Sequence, residues 1–447
     1  MIKEKILNYV TETPGNTNRN VLRTMLDLLL KENIPGWGDD FAKIIDGSVE
    51  NLVIPEGITS IKQSVFMGCS NLESITIPDS VTDIGNHSFQ DCRKLSTITI
   101  PGSVKRIGIN AFLRCWGLEE VIIQNGVEKI DMEAFMGSAI KNIILPESIK
   151  TIERGAFNRT QLVSIQLPQN IQSMGASVFE SCTHLTNIEI PENLTILNSG
   201  LFLDCRGLTS ITIPENIKTI KDNVFSGCTG LTNVEILGKI TSIGKDAFKG
   251  CTGLTNITIP GSVTNLGDGA FSQCTNLTDV TIQYGVSNIG TSAFSECTNL
   301  TNIILPETIH SIGPNAFSHC DNLVDIAIPN TVTQLKHRLF YSCLNLKNVT
   351  IPNTVTTIGE DVFSECAELT NIVLPESVTE IGAKLCYNCP KMVSITIKAI
   401  NPPTIQENTF YRLQPTPLIY VPAESVEAYK TAPFWESKAH RIQPIPE

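Results

Sequence analysis

Between Leu254 and Phe271 the chain sets apolar against polar residues in a fixed order. In Asn256-Ile257-Thr258-Ile259 the two kinds alternate, which is the period of a strand with one buried face. Pro260 closes the run, because proline donates no hydrogen bond to a ladder. Val263 and Leu266 mark a second, shorter extended piece returning along the other face, and Gly267 offers a turn at low steric cost. Ala270 and Phe271 then fill the interior ahead of a corner that carries cysteine. The same order recurs along most of the chain. Phe66 is followed by Phe89, Phe112, Phe135 and so on to Phe363, at intervals of 23 residues eleven times and 22 twice. A cysteine stands three positions after nearly every one. A fixed period in the twenties predicts a solenoid, since each unit is too small to bury its apolar face alone and must stack on its neighbours. Successive coils are expected about one strand spacing apart, ~4.8 Å, with parallel strands and right-handed connections.

One unit reads C-x-x-L-x-x-I-x-I-P-x-x-V-x-x-I-G-x-x-A-F-x-x, with a clean copy running from Cys251 to Phe271. This string resembles the BspA-like class of leucine-rich repeats, and the resemblance covers about residues 48–398, fifteen or so coils. The chain departs from the motif in places. Gln124, Leu237, Gln283 and Lys398 replace the proline, Ser138 and Thr160 replace the cysteine, and Cys386 replaces the phenylalanine. The resemblance implies binding rather than catalysis, in a family of surface proteins associated with adhesion and host contact. The expected fold is a β-rich repeat solenoid. It would be a right-handed leucine-rich-repeat coil with a parallel concave sheet, short return strands, a small helical N-terminal segment and a C-terminal cap.

The two ends break the pattern. In residues 1–47, Thr17-Asn18 can cap a helix over Val21 to Leu30, which Asn33-Ile34-Pro35-Gly36 stops. That segment either covers the open edge of the first coil or docks the chain elsewhere. In residues 399–447, Pro402-Pro403 breaks the strand and Phe410 is a last degenerate copy of the ladder. Leu418 to Val421 reads as a final strand and Ala423 to Tyr429 as a short helix, with Phe434 and Trp435 expected to seal the last coil.

Composition narrows the function. The net charge is -12, from 45 acidic and 33 basic side chains, and no basic stripe is evident, so nucleic acid is not an expected partner. No apolar run approaches the roughly 20 residues of a membrane helix, so membrane insertion is not expected. Met1-Ile2-Lys3-Glu4-Lys5 does not read as a secretory signal, although a mature form would have lost one. Localisation therefore rests on the resemblance alone: cell surface or secreted, with virion or cytoplasm as alternatives. Of the 14 cysteines most form the repeat's column, where stacked side chains point the same way. That arrangement suits buried free thiols better than disulfides or a zinc site with converging ligands. Cys386 and Cys389 form a C-x-x-C, but Cys389 belongs to the column and Cys386 only replaces a phenylalanine. No phosphate loop, nucleophile elbow or H-E-x-x-H occurs, so no enzyme, metal or cofactor is expected.

The outward positions of the long strands are the informative surface. One column holds Asn187, Asn233, Asn256, Asp279, Asn302, Asp325 and Asn348 among short polar residues; in the next Thr is the commonest residue. Both are almost free of the Tyr, Trp and Arg that dominate tight interfaces. Ile122 and Ile144 interrupt the second column and stand out as an apolar anchor beside the two shortened intervals. These nine residues are the candidate contacts for a protein or glycan on another cell or particle. A merely solvated face would use the same residue types. The expected role is non-catalytic recognition, in adhesion or host contact. A phage tail or virion component facing its receptor, and an intracellular assembly scaffold, are the alternatives.

Overall fold

The computed structural model describes residues 48–446 apart from 55, 414 and 415. The helix expected over Val21 to Leu30 lies outside the described residues. The chain divides into two compact units, one reaching to Asn216 and the other beginning at Ile217. Each is a stack of three-sided coils.

The first side is the long strand. In the second unit Asn256–Ile259, Asp279–Ile282, Asn302–Ile304, Asp325–Ala327 and Asn348–Thr350 lie side by side in one five-stranded sheet. All its pairings are parallel. Burial alternates along Asn256–Ile259, with Ile257 and Ile259 inside and Asn256 and Thr258 outside, as the period-2 pattern requires. In the first unit the long strands pair in twos, Thr97–Ile100 with Glu120–Ile123 and Asn142–Ile144 with Ser164–Gln166.

The second side is shorter than expected. The extended piece Val263 to Leu266 contributes only the two-residue strand Asn265–Leu266, which pairs in parallel with its neighbours on both sides. Gly267 corrects the sequence reading. Its φ is not positive, so conformational freedom is not what it supplies. A Cβ there would sit 2.4 Å from the Gly244 carbonyl carbon of the preceding coil, so glycine is needed because two backbones meet.

The third side carries the phenylalanine, flanked two residues before and two after by left-handed residues, such as Asp246 and Gly250 about Phe248. An L-residue in that region costs about 1–2 kcal/mol. Hydrogen bonds offset it. The N–H groups of Asp246, Phe248 and Gly250 each donate at 2.8 Å to a carbonyl of the next coil, on Asp268, Ala270 and Ser272. The groups between them close local turns, Lys249 N–H to Asp246 and Cys251 N–H to Phe248. Every other donor is thus committed along the stack, and the arc behaves as a third ladder.

The core follows. Phenylalanines stack face to face at 5.0–6.0 Å between ring centroids from Phe66 to Phe202 in the first unit. From Phe225 to Phe363 in the second the spacing is 5.1–5.8 Å. Beside each ring column runs the cysteine column. The Cys274 thiol donates to the Phe248 carbonyl at 3.1 Å, and Cys92 and Cys389 do the same to Phe66 and Phe363. Where the cysteine is replaced, Ser138 Oγ and Thr160 Oγ1 donate instead to the phenylalanine carbonyl of their own coil, at 2.8 and 2.9 Å.

The C-terminal closure differs from expectation in three respects. Leu418–Val421 is not the last strand, because Ile442–Pro444 pairs with it in parallel. The helical stretch is a 3-10 turn, Ala423–Ser425, continuing into the α-helix Val426–Thr431. Trp435 is buried, and its indole N–H donates to the Pro403 carbonyl at 2.8 Å. Tyr429 is buried with it and donates to the Ala399 carbonyl at 2.7 Å. Phe434, expected beside Trp435, is half exposed.

Candidate functional site

The outward columns of the long strands divide between the two units. In the second unit the ladder places Asn256 opposite Asp279, Asp279 opposite Asn302, Asn302 opposite Asp325, and Asp325 opposite Asn348. Five of the nine candidate residues therefore form one row of adjacent, exposed side chains. One neighbouring pair is bonded directly, the Asn348 amide donating to the Asp325 carboxylate. Asn233, in the strand Asn233–Ile236, is exposed but lies outside this sheet.

In the first unit Ile122 and Ile144 are exposed, at 49% and 71%. Their strands belong to different two-stranded ladders: Ile122 pairs with Thr99 and Ile144 with Gln166. The break falls where one residue is missing from the corner ahead of Asn142–Ile144, so the two residues neighbour each other without a shared register. Asn187 is exposed in a segment that forms no strand. The most exposed isoleucine on the row of five is one that sequence reasoning did not single out. Ile304 is 75% exposed and stands opposite Thr281. Its signal was present, an apolar residue in a threonine column, but the reading favoured the pair beside the shortened intervals.

The remaining chemistry is internal. All fourteen cysteines are buried and unbridged. Burial pushes the Cys274 and Cys69 thiols up to about 12 and Cys182 to about 11, so these three stay protonated near neutral pH. Cys386 is raised by its hydrogen bond with Cys389 and then by burial. Among the described residues no group of three or more His, Cys, Asp or Glu side chains is placed to hold a metal. No helix among them is long and apolar enough to cross a membrane. Most ion pairs lie on the outside of the coils; Arg106 and Lys129 both reach the buried carboxylate of Asp131, at 2.8 and 3.0 Å.

Comparison with known proteins agrees with the repeat. The profile described as BspA type leucine rich repeat region, in six copies, matches residues 41–162, 105–232, 218–346, 287–416 and 333–443. A leucine-rich repeat protein from Bacteroides ovatus ATCC 8483 has a similar structure, with a TM-score of 0.61 and 29% identity over 73% of this chain and 88% of that one. A leucine rich cell surface protein from Faecalibacterium prausnitzii A2-165 aligns with 26% identity over 68% of this chain and 87% of its own, at a TM-score of 0.44. No curated protein matches.

Proposed function

Starting from the fact that the chain belongs to the BspA-type leucine-rich repeat family, we propose that it is a non-catalytic recognition scaffold. It binds a protein carried on another cell or particle through the outward face of its long strands. The row from Asn256 to Asn348 is the observation that carries this reading. Five coils present neutral amides and carboxylates at one strand spacing, with Ile304 exposed beside them. Such a row matches many hydrogen-bonding groups of a partner at once, and an isolated aliphatic residue supplies the apolar contact that amides lack. The other two sides of each coil spend their backbone donors on the stack. Ile122 and Ile144 extend the same kind of contact to the first unit. Adhesion and host contact are the setting that the family resemblance favours.

The test compares affinity capture from surface-protein extracts by the unmodified protein and by three variants. Ile304→Glu and Asn302→Arg should each lose the captured partner without changing the melting profile. Thr264→Glu, an exposed change outside the long strand, should keep it. Retention by both face variants, or loss only with Thr264→Glu, overturns the assignment.

A further inference from the structure

The long-strand ladder of the second unit is interrupted twice, between Asn348–Thr350 and Asn371–Leu374 and after Asn233–Ile236, and the second interruption carries further marks. No ladder joins Asn233–Ile236 to Asn256–Ile259 among the described residues, although the latter pairs fully with Asp279–Ile282 on its other side. Val234 and Ile236 are half-buried, where their counterparts Ile257 and Ile259 are fully enclosed. A third mark is a hydroxyl. At its position in other coils a Ser or Thr donates to a carbonyl of the coil before, as Ser103 does to Val81, Thr308 to Val286 and Thr354 to Val332. The equivalent acceptor for Ser262 is the Ile240 carbonyl, yet Ser262 Oγ is buried with no partner. The two coils stay joined along the return strand and the phenylalanine arc but part along the long strand, where a cleft of about 560 Å³ opens. The sequence marks the spot: Leu237, 52% exposed, stands where most coils have proline.

We propose that this cleft receives an aliphatic side chain from an extended segment of a protein partner. The proposal rests on the reading of the long-strand face as the binding face and names a contact within it. One wall is aliphatic, from Val234, Ile236 and Leu237, and gains only by covering apolar surface. The other carries the neutral groups of Asn256, Thr258 and Gln283, which match the N–H and C=O groups of a peptide backbone. Glu235 and Lys239 bring one charge of each sign, so the cleft selects for neither. No aromatic ring lines it to stack on a sugar. A peptide with a central leucine or isoleucine satisfies both walls. It also fits the logic of interfaces, where an anchor side chain in a pocket carries most of the energy.

The test uses the full chain with isoleucine, leucine and valine methyl groups labelled for NMR. The probe is a blocked pentapeptide of leucine flanked by two glycines on each side; a serine-centred analogue and maltose are the comparisons. Saturable shifts are expected at the Val234, Ile236 and Leu237 methyls, with the serine peptide roughly tenfold weaker or worse. Leu237→Asp, an exposed change, should abolish the response and leave other methyl signals in place. Equal response to both peptides, no saturable shift, or a shift with maltose in place of the leucine peptide overturns the proposal. Capture by the Ile304→Glu and Asn302→Arg variants reads the wider face and this titration reads the cleft, so failure of the one is told apart from failure of the other.

Discussion

Phe271→Ala tests whether the ring column holds the stack together. Phe271 is wholly buried between Phe248, at 5.1 Å and 3° between ring planes, and Phe294, at 5.6 Å and 5°. A buried phenylalanine removes about 150–200 Å² from water, and at ~25 cal/mol per Å² that is about 4–5 kcal/mol. Truncations of this kind cost roughly 3–5 kcal/mol, so the two routes agree. The backbone should keep its own bonds, since the Phe271 N–H donates to the Ala293 carbonyl and that does not depend on the ring. The loss should therefore be local. Each coil touches mainly its neighbours, so hydrogen-exchange protection should collapse for the coils around 248–294 and persist near Phe363. Native-state exchange with mass-spectrometric peptides reads this directly. An unchanged exchange map, or a uniform loss over the second unit with no local minimum, would refute the ring column as the unit of cohesion.

Three further outcomes follow from the same geometry. In native protein at pH 8 a thiol reagent should modify few of the fourteen cysteines, and all fourteen after denaturation; mass spectrometry counts the adducts. Burial raises Cys274 from 9.0 to about 12, so its contribution is fully present below pH 9 and is lost as pH climbs toward 12. Denaturant midpoints should stay flat from pH 6 to 8.5 and then fall, with a shallower fall in Cys274→Ala; a midpoint that rises above pH 9 contradicts the assignment. Gly267→Ala should destabilise by more than about 1 kcal/mol, because its Cβ meets backbone at 2.4 Å; an unchanged melt would remove the close approach as the reason for glycine.

The coil was legible in the sequence because one rule is written many times. Alternation over Asn256–Ile259, a proline stop and a buried Phe at a constant interval leave few folds that satisfy all three. What was not legible is what the repeat does with its backbone. The left-handed pair about Phe248 falls on Asp246 and Gly250, types that suit that region, but Glu, Arg, His and Ser hold the same positions in other coils, so residue type alone does not mark the pair. The geometry is imposed by the next coil's carbonyls, and side-chain identity follows weakly. Gly267 was misread for a related reason. A turn and a backbone contact both call for glycine, and only the neighbouring coil distinguishes them. At the C-terminus, Ile442–Pro444 is short and ends in proline, which a ladder tolerates at the end of an edge strand.

The candidate site exposes a limit of another kind. In a repeat array the average position is explained by packing, so a binding residue can show itself only as a departure from the average. Ile122, Ile144 and Ile304 are such departures in a column of threonine, and all three are exposed. Leu237 is a departure as well, yet alone it reads as one missing proline among several. Gln283 is another, and it restores order: its Oε1 accepts the Gly261 N–H at 3.2 Å, as Gln124 does for Gly102. The two substitutions look equivalent in sequence and have opposite effects in the fold. Gln283 carries an amide that returns a bond to the stack, whereas around Leu237 the coils part and leave the Ser262 hydroxyl unpaired. A departure from a repeat thus becomes a candidate for function when the structure shows that nothing compensates it. By that criterion the coil at Leu237 stands apart from the coils with Gln124 and Gln283.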